Sequence, residues 1–349
     1  MSTVFILGAG ATAGTKGLPV DRDFLQKSSN VINSYYFLPS ALDFLYSSSW
    51  FGQRLEEAWS KIDVQYNSPP SISSELTGRI LKLFEKKATG ESGPPTEERR
   101  YYKRYWQERI KEPQKRSPAQ YLFLFAGWEL RQAICRVYGQ AIAGGEAKYR
   151  ELLTEYADRR PVSVIDFNYD LYFEEALNNQ QWFYYPEPSP GDAMEILKPH
   201  GSLNWVHRNV WRQDEEIVVN RDGVFPVASW GWGLEGFSQA SIIPMARAKR
   251  EFTPNEESRA IRCRYGKILH RCEDVLKQAQ HICVVGYSFP PGDQHFKDIL
   301  YDVRTGRVTP LRNLKYISKD SKDSTGSWTA KLRKVFGVTF DPEVRLDGF

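Results

Sequence analysis

Apolar positions along this chain follow two patterns. Short unbroken runs bounded by turn residues occur at "VFIL" (residues 4–7), "VSVIDF", "EILKPH", "HICVVGYSF", "LKYIS" and "FGVTF". Runs of this length predict strands buried on both faces, as in a parallel sheet covered by helices. The second pattern has a helical period. In "TPNEESRAIRCRYGKILHRCEDVLKQAQ", Ile261, Tyr265, Ile268, Leu269, Cys272, Val275 and Leu276 recur on one face. Thr253 stands where it can cap that helix, with Pro254 in its first turn. The helix feeds straight into "ICVVGY", which is the repeating unit of a doubly wound sheet.

The strand signals are unevenly spread. They fill residues 1–27 and resume at Pro161, whereas residues 28–160 lean to helix and are broken at "NSPPSISS" and "TGESGPP". The predicted fold is α/β: a Rossmann-like doubly wound parallel sheet made of residues 1–27 and 161–349. A mainly helical insertion at 28–160 splits it in sequence. No internal repeat is visible.

Composition excludes more than it selects. With 349 residues, 41% hydrophobic and 26% charged, the chain can bury a large core. Forty-seven basic residues face 43 acidic ones, a net charge of +4, so the chain as a whole is no polyanion binder. No apolar run approaches the ~20 residues that span a bilayer. The first strand begins at once without a signal-peptide pattern, and Cys135, Cys263, Cys272 and Cys283 form no C-x-x-C pair. The expectation is a cytoplasmic protein with reduced thiols and no membrane partner.

The first candidate chemistry lies in "VFILGAGATAGTKGLP" (4–19), where Gly8, Gly10 and Ala13 match G-x-G-x-x-[GA] after a strand. Small residues there let backbone N–H groups approach a pyrophosphate at a helix N-terminus. A dehydrogenase would add an acidic residue at the end of a second strand ~20 residues on. "TKGLPVDRDFLQKSSN" breaks up any such strand, which counts against hydride transfer. Three further blocks follow predicted strands: "FNYD" with Asn168 and Asp170, "PHGS" with His200 and Gly201, and "GYS" with Gly286 and Ser288. Each alone reads as a turn, a cap or a packing residue. Together, at the carboxyl ends of strands, they point to a ligand site.

These four blocks resemble the sirtuins, and most closely the prokaryotic sirtuin-like group associated with antiviral defence. "GAGAT…GLP" is similar to the sirtuin opening G-A-G-x-S…G-[IL]-P, "FNYD" to Q-N-x-D, "PHGS" to the H-G block and "GYS" to G-[TY]-S. The likeness spans about residues 1–27 and 161–320 and leaves the insertion outside it. The chain departs from the family in four places. It has no four-cysteine zinc spacing, and Thr12 replaces the opening Ser. Gly17-Leu18-Pro19-Val20-Asp21-Arg22 stands for G-I-P-D-F-R, so Arg22 keeps its place while the aromatic guarding the nicotinamide–ribose bond is missing there. Ser318 stands at the adenine-side Asn.

The resemblance implies NAD+ as substrate and no metal. It assigns Asn168 to position a water or a ribose hydroxyl, His200 as general base, and Asp170 to hold the nicotinamide carboxamide. Gly8, Gly10, Thr12, Arg22, Gly286 and Ser288 complete the dinucleotide site. Without a zinc module, water is the expected acceptor, giving nicotinamide and ADP-ribose with some cyclic product, and NAD+ depletion as the antiviral output. Such an effector must be held off until triggered. That implies a homo-oligomer or a separately encoded partner, for instance a hexameric P-loop, DNA-translocase-like ATPase. Three rival readings stay open: an NAD-dependent protein deacylase or ADP-ribosyltransferase, a non-catalytic NAD or ADP-ribose sensor, and a nucleic-acid-binding effector. The last would use "RRYYKRYWQERIKEPQKR" (99–116), with eight basic and two acidic residues, although a solvated amphipathic helix explains it as well. "SWGWGLEGF" (229–237) reads as a lid, an assembly contact or an aromatic-packed loop. His207, His270, His281 and His295 have no metal-ligand spacing.

Overall fold

The computed structural model describes residues 2–11, 146–156, 161–178, 180–208, 216–221, 232–233, 236–237, 239–242, 259–290, 293–318 and 325–346. In chain order the elements are β1 (Thr3–Leu7), α1 (Glu146–Glu155), β2 (Pro161–Asp166), α2 (Tyr172–Leu177), β3 (Trp182–Tyr184) and β4 (Met194–Leu197). There follow β5 (Gly201–Arg208), β6 (Glu216–Val219), β7 (Trp232–Gly233), β8 (Gly236–Phe237) and β9 (Gln239–Ile242). The chain closes with α3 (Arg259–Gln278), β10 (His281–Val285), α4 (Gln294–Thr305), β11 (Asn313–Ile317), α5 (Thr325–Phe336) and β12 (Glu343–Arg345).

Seven strands form one parallel sheet in the order β12-β11-β10-β1-β2-β4-β3. This is the doubly wound α/β architecture that the strand and helix patterns predict. Strand β1 sits mid-sheet, with β2 on one side and β10 on the other. Chain direction across the sheet reverses there, so the crevice between β1 and β10 is the switch point. Leu7 pairs with Val285 and with Asp166 at its carboxyl end.

Alternation assigns the helices to faces. Val4 is in register with Ser163, and Ser163 with Glu195, so these residues share one face. Helix α3 covers that face, burying Tyr265, Ile268, Cys272, Val275 and Leu276, all members of the predicted apolar stripe. It is pinned by a fork from Arg271 to both carboxylate oxygens of Glu195, at 2.9 and 3.2 Å; Ser163 Oγ donates to the same carboxylate at 2.8 Å. The described helix begins at Arg259, so Thr253 and Pro254 lie outside the described residues. Phe5 points to the opposite face, where it meets Tyr156 edge-on at 5.0 Å. Helix α1 covers that side with Tyr149, Leu152 and Leu153, and Glu155 pairs with Lys315 of β11. Thus the end of the span read as insertion is the crossover helix that leads into β2.

Two features differ from expectation. "FGVTF" is not a strand: Phe336 is the last residue of α5, and Gly337, at φ +65°, ends it with its N–H on the Arg333 carbonyl at 2.9 Å. Trp328, Leu332 and Phe336 are the buried face of α5, so an i, i+4, i+8 stripe supplied the apolar residue that looked like a strand. The strand closing the sheet is β12, six residues further on. The second addition is a three-stranded antiparallel sheet, β6-β5-β9, which begins at Gly201 directly after the "PH" of the His block. Among the described residues no helix is long and apolar enough to cross a membrane.

The two glycine turns at the switch point interlock. A Cβ on Gly286 would sit 2.0 Å from the Ala11 nitrogen, and Gly286 has φ +59°. We expect Gly286→Ala to destabilise the fold by at least about 2 kcal/mol, from backbone strain and overpacking together. Urea denaturation measures it, and a variant as stable as the parent would contradict this packing.

Candidate active site

Each central strand hands over to a turn at the same end of the sheet. Gly8 N–H donates to the Val285 carbonyl at 2.9 Å, Phe167 N–H to Leu7 at 2.9 Å, and Gly286 N–H to Ile317 at 2.8 Å, extending the ladders by one residue. Gly10 N–H then bonds the Gly286 carbonyl at 2.9 Å, and Ala11 N–H the Gly8 carbonyl at 2.9 Å. These N–H groups are used inside the protein. What the glycines contribute is close approach: a Cβ on Gly8 would come within 2.6 Å of Tyr287 Cα, and one on Gly10 within 2.8 Å of the Gly286 carbonyl oxygen. The two turns are thereby fused into one floor.

Next to this floor, the loop after β2 carries Asn168 and Asp170. Phe167 stacks on Tyr287 with ring centroids 4.4 Å apart, tying the loop to the Gly286 turn. The residues on either side of Asn168 both reach the His200 ring: Phe167 edge-on at 4.9 Å and Tyr169 at 6.3 Å. His200 itself sits in a tight turn after β4, closed by Gly201 N–H on the Lys198 carbonyl at 3.0 Å. Asn168, Asp170 and His200 are all buried. Asn168 donates from Nδ2 toward Tyr149 Oη of α1 at 3.4 Å, and Asp170 Oδ1 accepts the Tyr172 N–H at 3.2 Å, at the start of α2.

Beneath the loop lies a buried cation. Lys198 is fully enclosed, with Nζ 2.7 Å from Asp166 Oδ2 and 3.0 Å from Glu174 Oε1. The same ammonium donates to the carbonyl oxygens of Asn168 at 3.1 Å and Asp170 at 2.8 Å. Asp166 uses its other oxygen to accept the Asn168 N–H at 3.0 Å, and Glu174 accepts the Tyr184 hydroxyl at 2.8 Å. Every hydrogen of the ammonium thus points at the loop or at a carboxylate that orders it. Burial works against the charge on Lys198, but Asp166, Glu174 and Asp170 outweigh it and hold the lysine above its ordinary pKa. For Asp166, burial dominates the attraction of Lys198 and pushes the carboxyl up, with Glu174 and Asp170 adding repulsion.

The structure therefore brings Gly8, Gly10, Gly286, Asn168, Asp170 and His200 to one end of the sheet. Ser288 lies on the exposed rim, where its carbonyl accepts Lys331 Nζ at 2.9 Å. Thr12 and Arg22 lie outside the described residues, as do Trp230 and the basic segment at 99–116. Four neighbours escaped the sequence reading: Lys198, Asp166, Tyr287 and Asp293. Asp293 Oδ1 stands 3.3 Å from His200 Nε2, and Tyr287 donates its hydroxyl to Asp293 Oδ2 at 2.6 Å. The available signal was charge in the wrong place. Asp166 and Lys198 each end an otherwise apolar strand run. Among the described residues no group of three or more His, Cys, Asp or Glu side chains could hold a metal ion.

Fold and site define a doubly wound α/β domain with buried polar side chains gathered beside its switch point. No protein-family model matches the chain, and no curated protein does. Among solved structures it is similar to a triple mutant of a Sir2 homologue in complex with 2'-O-acetyl ADP-ribose. That likeness has 12% identity and a TM-score of 0.38, over 97% of this chain and 95% of the other.

Because Asp166 is raised in the folded state, its contribution to stability is present at low pH and is lost as pH climbs through that raised value. Removing the cation must steepen this dependence. Lys198→Met should destabilise the protein by about 3–5 kcal/mol near neutrality, because it strands two buried carboxylates. The deficit should shrink toward about pH 5, where Asp166, whose pKa is raised by burial, takes up its proton. Urea midpoints across that range test it; a pH-independent deficit would contradict the electrostatic account.

Proposed function

We propose that this protein is an NAD+ hydrolase that cleaves the nicotinamide–ribose bond. The observation that supports the reading is that the loop carrying Asn168 packs against the turn carrying His200 at the carboxyl end of the sheet. The two aromatic neighbours of the amide both contact the imidazole, beside a glycine floor at the switch point of the sheet. The sequence blocks that resemble sirtuins are the ones that converge there.

In NAD+ the nicotinamide leaves as a neutral ring, and positive charge develops on the ribose. Asn168 orients the attacking water or a ribose hydroxyl, and His200 accepts its proton. The water oxygen bonds to the anomeric carbon as the carbon–nitrogen pair departs with nicotinamide. The proton held by His200 then passes to solvent, completing ADP-ribose. An imidazole suits that exchange at neutral pH. Asp170 holds the nicotinamide carboxamide, and Gly8, Gly10, Thr12, Arg22, Gly286 and Ser288 line the dinucleotide side. The buried Lys198 supports this chemistry by fixing the carbonyls on both sides of Tyr169.

The biological output in this reading is depletion of NAD+ in an infected cell. The core made of residues 1–27 and 161–349, with helix α1 packed on its sheet, is catalytic, and the rest of the 28–160 span serves self-assembly or a separately encoded ATPase partner. Asn168→Ala and His200→Ala should each lower nicotinamide release by at least about 100-fold with circular dichroism unchanged. The assay supplies NAD+ to the full chain across a range of protein concentrations. Unchanged turnover in either variant overturns the site assignment. Release that requires an added protein acceptor would favour the transferase or deacylase reading instead.

A further inference from the structure

Asp293 occupies the N-cap position of α4 but does not cap it. An Asp there ordinarily turns its carboxylate onto the N–H groups of the first turn, which contributes about 1 kcal/mol. Here the side chain makes no cap hydrogen bond, and only its backbone oxygen serves the helix, accepting Phe296 and Lys297 N–H at 3.1 Å each. The carboxylate is instead turned inward at 1% exposure. One oxygen accepts the Tyr287 hydroxyl at 2.6 Å and the other faces His200 Nε2 at 3.3 Å. Burying a carboxylate is costly unless it meets donors or a charge, and forgoing the cap adds to that cost. The connecting loop is itself strained: Phe289 is buried with φ +55°, a conformation bulky residues rarely adopt.

We propose that Asp293 is the positioning residue for His200, with Tyr287 holding the carboxylate in place. The carboxylate keeps the Nε2 proton on its own side of the ring and directs the basic lone pair of the neutral imidazole to Nδ1. When Nδ1 takes the proton from the attacking water or ribose hydroxyl, the imidazolium charge is met by the Asp293 carboxylate. Among the described residues, titratable groups that face the ring include Asp293 from the β10–α4 connection, His295 of α4 at 6.1 Å between ring centroids, and Tyr169 from the loop after β2. Asp293 supplies the opposite charge among them. The catalytic use of the couple rests on the hydrolase reading; the coupling itself does not.

The experiment therefore has two readouts on the full chain. In an NMR titration, the His200 ring signals are assigned by their absence from His200→Ala. Asp293→Asn should lower the His200 midpoint by about one pH unit or more. In the pH profile of nicotinamide release, the same variant should lower kcat about 10- to 100-fold at constant KM and shift the acid limb to lower pH. Tyr287→Phe, which keeps the carboxylate but removes the hydroxyl that holds it toward His200, should move both readouts the same way by less, and it covers the case in which Asp293→Asn fails to fold. A His200 midpoint that does not move overturns the proposal whatever the activity. A moved midpoint with kcat and its pH profile unchanged overturns the positioning role. A wild-type protein that releases no nicotinamide defeats the hydrolase reading, and the titration alone then decides whether Asp293 governs His200.

Discussion

One buried ammonium organises the candidate site. Lys198 enters from the end of β4, crosses beneath the loop after β2, and bonds two of its carbonyls while pairing with Asp166 and Glu174. Such a cluster is a poor way to gain stability, since apolar side chains of equal volume often do as well or better. Its distinct property is direction. An apolar plug would fill the space but could not choose among loop conformations that bury the same area. The ammonium accepts only those that present the Asn168 and Asp170 carbonyls to it. The backbone at Asn168 is thereby tied to the segment that carries His200, because Lys198 stands two residues before that histidine.

The floor of the crevice follows a complementary logic. Where Lys198 fixes position by attraction, Gly8, Gly10 and Gly286 fix it by lacking a Cβ, so that two turns from distant parts of the chain pack backbone against backbone. Phe167 bridges the two devices by stacking on Tyr287 and touching His200. Sub-ångström placement of reacting groups requires side chains whose own rotamers are locked by packing. Here the lock is made by aromatic rings on one side and by a buried charge on the other.

Much of this was readable from residue patterns, and the failures have physical causes. The parallel strands were visible because strands buried on both faces are continuous apolar runs. Helix α3 was visible because its stripe keeps a single period over five turns. Asn168, Asp170, His200 and Gly286 were found because turn and polar residues directly after such runs mark the carboxyl edge of a sheet. Lys198 and Asp166 were missed because a charged residue ending an apolar run looks like the point where the strand reaches water. Nothing local says that Asp166 and Lys198, 32 residues apart, meet in the interior. Asp293 was missed for the opposite reason: it has an adequate local explanation as a helix cap, and only three-dimensional proximity to His200 shows that it is used otherwise. The "FGVTF" strand failed because one apolar residue belongs equally to a period of two and to a period near four.

The distribution of buried polar groups argues that this end of the sheet is more than a well-packed turn region. Asp166, Asn168, Asp170, Lys198, His200 and Asp293 are all buried and all lie at the carboxyl edge or in the turns beyond it, with Glu174 buried beside them in the first turn of α2. Elsewhere among the described residues the buried charges are few and tied to simple cross-links, such as Glu195 with Arg271 or Lys315 with Glu155. A fold selected only for stability has no reason to gather acids, a lysine, an amide and an imidazole in one desolvated place, since each costs free energy to bury. Proteins tolerate such departures from their own folding rules where chemistry needs them. The uncapped helix α4 makes the same point at a single residue, because there a common source of stability has been given up so that a carboxylate can face an imidazole.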